Sequence, residues 1–86
     1  MAYRIEIKLP AVKALSAVPN PDRRRIAAAI ESLSHTPRPS GCMKLHGSEA
    51  AYRIRVGDYR IVYEIADSVL VVWVIRIAHR KDVYRR

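Results

Sequence analysis

Over residues 3–9 the apolar side chains Tyr3, Ile5, Ile7 and Leu9 alternate with Arg4, Glu6 and Lys8, the period of two expected of a strand with one buried face. Pro10 ends the alternation and suits the first turn of a helix, where its missing N–H would have had no partner. Behind it Ala11, Val12, Leu15 and Val18 fall on one helical stripe of about two turns. Asn20-Pro21 repeats the start signal, a capping side chain before a helix-compatible proline. Ile26, Ile30 and Leu33 then carry the buried stripe of a second helix that ends near His35, before Thr36-Pro37. Joined through VPNP, the two helices form a hairpin. Residues 37–50, PRPSGCMKLHGSEA, hold two prolines and two glycines and read as a long loop, pinned to the core by Met43 and Leu45. Loops of this length in small domains are often functional.

Three strands follow, at residues 52–56, 59–65 and 69–77, separated by Gly57-Asp58 and by Ala66-Asp67-Ser68. Gly57 at the head of a two-residue loop suits a type II′ turn, which fixes the register: Val56 opposite Tyr59, Arg55 opposite Arg60, Ile54 opposite Ile61, Arg53 opposite Val62, Tyr52 opposite Tyr63. One face then carries Tyr52, Ile54, Val56, Tyr59, Ile61 and Tyr63. The other carries Arg53, Arg55 and Arg60 with Val62 and Glu64. The last strand, VLVVWVIRI, is nearly continuous in apolar residues, so it belongs in the middle of the sheet with the opening strand on its free side, and Trp73 and its valines belong to the core. The expected fold is α+β, one domain over residues 1–86. An N-terminal strand and a helical hairpin lead into a three-stranded antiparallel meander, giving a four-stranded sheet with helices on one face and the other face open.

Charge changes the picture of that open face. Sixteen Lys and Arg against eight Asp and Glu give a formal charge of +8, and twelve of the sixteen cations are Arg. Such a balance points to a polyanionic partner, nucleic acid first and an acidic protein second, and guanidinium offers a planar fork suited to phosphate oxygens. Arg55 facing Arg60 is a like-charge pair that folding alone does not explain. Two readings stand: an anion belongs there, or the face is solvated and Glu64 takes one cation. Cys42 is the single cysteine, so no intrachain disulfide can form, a reduced cytoplasm is the natural setting, and a metal site could draw only on scattered His35, His46 and His79. Neither a metal nor a cofactor is expected. No apolar leader opens the chain and no apolar run approaches a membrane span.

YRIRVGDYRIVYEI followed by VVWVIRIAHRKDVY, with MKLHGS ahead of both, resembles the RelE branch of the RelE/ParE toxin superfamily over essentially the whole chain. The resemblance implies a small microbial-ribonuclease-like fold and the toxin of a toxin-antitoxin pair. It also implies a metal-independent endonuclease that cuts mRNA on the ribosome, with an acidic, RelB-like antitoxin as partner. The family's functional positions fall here on Arg53, Arg55, Arg60, Arg80 and Tyr84, and some relatives carry a histidine where His79 stands. RelE itself has lysines at the positions of Arg53 and Arg55. The ParE branch, which shares the fold but poisons DNA gyrase, is one alternative, and a non-catalytic RNA-binding module is another.

Cutting RNA without a metal requires removing a proton from a 2′-hydroxyl, stabilising charge on the phosphate and protonating the leaving oxygen. A guanidinium, with a pKa above about 12, does only the middle task well. Arg60 and Arg80 are therefore assigned to the scissile phosphate, Arg53 and Arg55 to the RNA backbone, and acid or base work to Tyr84 and His79. Tyr84 among guanidiniums should ionise more readily, and a histidine titrates in the useful range unaided. Alternatively, Tyr84 packs on the sheet and His79 is a strand-end residue accepting a backbone hydrogen bond. Arg23, Arg24, Arg25 and Lys44 are read as solvated surface that can also touch RNA phosphates. Cys42, His35 and His46 are read as structural or incidental.

Overall fold

The computed structural model describes residues 2–83. Five strands form one mixed sheet: β1 (Arg4–Ile7), β2 (Met43–Lys44), β3 (Ala51–Val56), β4 (Tyr59–Ala66) and β5 (Val71–His79), in the spatial order β1-β5-β4-β3-β2. Two helices, α1 (Leu9–Ser16) and α2 (Asp22–Ser32), pack on one face, and a single turn, α3 (Arg80–Val83), follows β5. The α+β fold expected from the sequence is present, with one strand more than the four anticipated. That strand, β2, is two residues long and pairs antiparallel with β3, Met43 opposite Arg53 and Lys44 opposite Tyr52. Two residues are too few to show a period, and Gly41 and Gly47 on either side read as loop.

Burial of the helical stripes against one sheet face makes the core. Ala11, Val18, Ile26, Ile30 and Leu33 meet Ile54, Ile61, Tyr63, Ile65, Val72, Val74 and Ile77, all nearly closed to solvent. At roughly 1.5–3 kcal/mol for each large apolar side chain buried, this cluster dominates the stability of the domain. The hairpin of β3 and β4 has the expected register throughout, including Arg55 opposite Arg60, and Gly57 sits at φ +59°, as a type II′ turn demands at its first position. As its apolar run suggested, β5 is internal, antiparallel to β4 and parallel to β1. Val69, expected within it, lies in the preceding turn and is largely exposed. Nor does Met43 pin the loop to the core, since its side chain is mostly exposed on the open side.

Regular alternation in β5 breaks once. Val62 pairs with Arg76 but Tyr63 pairs with Val74, so Ile75 is an extra residue, a β-bulge. Upstream of it Val72 and Val74 face the helices and Trp73 faces the open side. Downstream the phase is reversed, so that Arg76 and Ala78 face the open side and Ile77 and His79 the helices. Trp73 is therefore not part of the helix-covered core. It is half-buried on the open face between Glu6 and Glu64, with the Lys8 ammonium 4.6 Å from its ring centroid.

The long loop is held by a polar clamp. Tyr3 Oη donates to Asp67 Oδ1 at 2.6 Å, Arg38 Nη2 donates to Asp67 Oδ2 at 2.8 Å, and Arg38 Nε donates to the Tyr52 hydroxyl at 3.1 Å. Beneath it the buried Tyr63 hydroxyl donates to the Pro37 carbonyl at 2.8 Å. Loop, first strand and β4–β5 turn are thus tied together.

Candidate functional site

At the end of the sheet nearest the Gly57-Asp58 turn, Arg55, Arg60 and Arg80 line a hollow of about 60 Å³ together with Gly57, Asp58 and Tyr59. The hairpin register puts Arg55 and Arg60 directly across from each other. Arg80 comes from the first residue of α3, and its backbone N–H donates to the Asp58 carbonyl at 2.7 Å, which ties the start of α3 to the hairpin turn. Its Nε stands 3.8 Å from Asp58 Oδ1, a long and exposed contact. Arg60 is half-buried, and its Nε is shut off from solvent with no hydrogen-bond partner among the described residues. A buried donor left without an acceptor costs about 1–3 kcal/mol, so Arg60 is held here at a local cost to folding.

One pleat further along, Arg53 and Arg76 flank Val62 on the same face. Arg53 Nη2 lies 3.2 Å from Met43 Sδ, a weak acceptor. Elsewhere three arginines find carboxylates, Arg4 with Glu6 at 2.8 Å, Arg25 with Asp22 at 3.5 Å and Arg38 with Asp67 at 2.8 Å, while the exposed Arg23 and Arg24 form no ion pair among the described residues. Among the described residues no ion pair involves Arg53, Arg55, Arg60 or Arg76, and Glu64, on the same face, forms none either. Of the solvated-face reading, the part in which Glu64 takes one cation is not the arrangement observed, while Arg55 and Arg76 are exposed as it expected.

His79 does not join the arginines. Opposite Tyr59 at the end of β5, it faces the helices, its ring edge-on to Tyr59 with centroids 5.1 Å apart, in a recess shared with Ala14, Ala17, Val18 and Ile77. Its Nδ1 accepts the Lys81 backbone N–H at 3.1 Å, the strand-end role that stood as its alternative. The bulge at Ile75 is the reason: without it, strict alternation would have turned His79 toward Arg60. Arg23 and Arg24 are exposed on α2, in the helical layer, and Lys44 takes the face of its partner Tyr52. These three cations are therefore separate from the arginine face. Tyr84 lies outside the described residues. Arg76 is the residue that sequence reasoning missed. Its signal was a charge standing two residues after Val74, where alternation called for another core side chain.

Ionisation is perturbed in the clamp. Hydrogen bonds from Arg38 and Tyr3 hold the Asp67 carboxyl below its ordinary range, and the bond to Asp67 raises Tyr3. Burial pushes Tyr63 up. Among the described residues no three His, Cys, Asp or Glu side chains gather as a metal site would require, and no helix is long and apolar enough to cross a membrane.

Residues 5–84 match the family model for the ParE toxin of type II toxin-antitoxin systems, parDE. Toxin RelG of Mycobacterium tuberculosis is 31% identical over 90 residues, covering 100% of both chains. Among solved structures, the RelE-RelB complex of Pyrococcus horikoshii superposes with a TM-score of 0.83 at 32% identity, covering 93% of this chain and 97% of that one. The isolated RelE toxin of E. coli gives 0.80 at 26% identity, covering 91% and 84%.

Proposed function

The chain belongs to the RelE/ParE superfamily of type II toxins, in its RelE branch, and from that premise we propose that it is an endoribonuclease that cuts mRNA on the ribosome. The observation that carries this reading is the hollow where Arg55, Arg60 and Arg80 converge, with Asp58 the one carboxylate beside them among the described residues. A pentavalent phosphate would supply oxygens to Arg60 and Arg80 as its charge grows, the differential stabilisation that accelerates a reaction. Arg55, across from Arg60, and Arg53, one pleat along, hold the RNA backbone. Since guanidinium cannot take a proton at neutral pH and His79 faces away, the acid or base work falls to Tyr84. The 2′-hydroxyl oxygen bonds to phosphorus as the P–O5′ bond breaks, its proton passing to solvent while the Tyr84 phenol protonates the departing 5′-oxygen, and a 2′,3′-cyclic phosphate is left on the upstream fragment. With a single phenol assigned to proton transfer, alignment of the message by the ribosome would supply what this face does not.

An acidic antitoxin is the natural inhibitor of a surface with this charge, and the P. horikoshii relative was solved with RelB bound. The family model's ParE description favours a second reading, inhibition of DNA gyrase. Purified protein, wild type and Arg80→Ala, should be given a message with and without translating ribosomes, and supercoiled DNA with gyrase. Cleavage that needs ribosomes and falls by about 100-fold or more in Arg80→Ala supports the nuclease, by analogy with loss of one transition-state donor. An intact message with blocked supercoiling would reverse the choice.

A further inference from the structure

We infer that Arg53 and Arg76 form a second phosphate subsite, one pleat from the hollow, that grips the neighbouring phosphate of an extended single RNA strand. The inference rests on the nuclease reading and extends it. Arg53 and Arg76 flank Val62 from the strands on either side of β4, while Arg55 and Arg60 form the next row two residues along. Two residues of strand span about 6.8 Å, a step comparable to the phosphate repeat of an extended strand. The floor between the outer pair is the apolar Val62 side chain, so both guanidiniums are free to turn toward one anion. Neither has a carboxylate partner among the described residues, and unlike the likewise unpaired Arg23 and Arg24 on α2 they share one row of the open face.

The bulge makes this subsite. Unbulged, β5 would carry Arg76 into the apolar layer beneath the helices, beside Val74, where an unpaired charge is prohibitively costly. The extra residue Ile75 delivers it instead to the same face and the same row as Arg53. An acidic peptide could also meet such charge, but its carboxylates need not recur at the spacing of the two rows.

The test uses the full-length protein and uncleavable 2′-O-methyl oligonucleotides bearing one, two or three phosphates, titrated calorimetrically across a salt series. Arg76→Gln should leave the one-phosphate probe unaffected, since the hollow holds it, and weaken the two- and three-phosphate probes by about 3- to 5-fold, as expected for one exposed ion pair. The slope of log affinity on log salt should fall by about 0.7, the loss of one single-strand phosphate contact. Arg76→Lys should keep most of that slope, which separates lost charge from any change in folding. Equal weakening of all three probes, or none, would overturn the subsite. So would a glutamate-rich peptide of matched charge binding as tightly and with the same dependence on Arg76. If Arg76→Gln behaves as expected while ribosomes show no cleavage, the subsite stands and the nuclease reading falls. If cleavage persists while Arg76→Gln binds every probe normally, the reverse holds.

Discussion

Replacing Arg60 by methionine should make the protein more stable and inactive. Two unfavourable features meet at this residue: the like charge of Arg55 directly across the hairpin, and a buried Nε with no acceptor. The first costs about 0.2–1 kcal/mol. The second costs about 1 kcal/mol, the low end for an orphaned donor, because the residue is only half-buried. Methionine keeps a flexible stem of similar reach over the sheet while removing both. The expected gain is about 1–2 kcal/mol, or about 5–10 °C in melting temperature for a domain of this size. Urea unfolding at low salt and at about 1 M salt separates the two contributions, since salt screens the Arg55 repulsion and leaves the orphaned donor in place. The gain should therefore shrink in high salt without vanishing. Cleavage on ribosomes should be lost in the same variant. A variant that unfolds at lower urea than wild type, or one that gains stability and still cuts, would refute the claim that this site trades folding energy for an anion.

The remaining expectations concern acid–base work and the clamp. His79→Ala should retain ribosome-dependent cleavage and its pH profile, whereas Tyr84→Phe should lose cleavage while still binding ribosomes; comparison of turnover and binding for the pair decides between them. Asp67 has a folded pKa depressed by Arg38 and Tyr3, so its contribution to stability is present above the unfolded value near 3.9 and is lost as pH falls through the lower folded value. Tyr3 has a raised folded pKa, so its contribution is present below about 10 and lost as pH rises through the folded value. Asp67→Asn should accordingly be less stable than wild type at neutral pH and lose less on acidification below about pH 4, as read by urea unfolding across pH.

Local chemistry made much of this molecule legible. The two-residue turn at Gly57 specified the hairpin, and with it the face shared by Arg53, Arg55 and Arg60, because a register is fixed once its loop length is known. The apolar run of β5 specified its internal position. What the alternation could not carry past Ile75 was phase. An inserted residue exchanges the faces of everything beyond it, and His79 and Arg76 were therefore assigned to the wrong side or overlooked. A charge at a core position was the available cue. The strand β2 failed for a different reason: its pairing depends on β3 lying alongside, a tertiary fact that two residues do not encode. As for α2, its cap is Pro21 rather than Asn20, and Asp22 in its first turn answers the arginines that follow.

The parallel pairing of β1 with β5 also bears on how the arginine face is assembled. β1 finds its hydrogen-bonding neighbour only in residues 71–74, and β5 is also the strand that closes against β4. The hairpin that carries Arg53, Arg55 and Arg60 closes on itself, whereas Arg76 reaches its place beside them only once β5 has been threaded between β4 and β1. Strain or substitution in the N-terminal strand would therefore be felt first at the Arg76 end of the cationic face, and least at its turn.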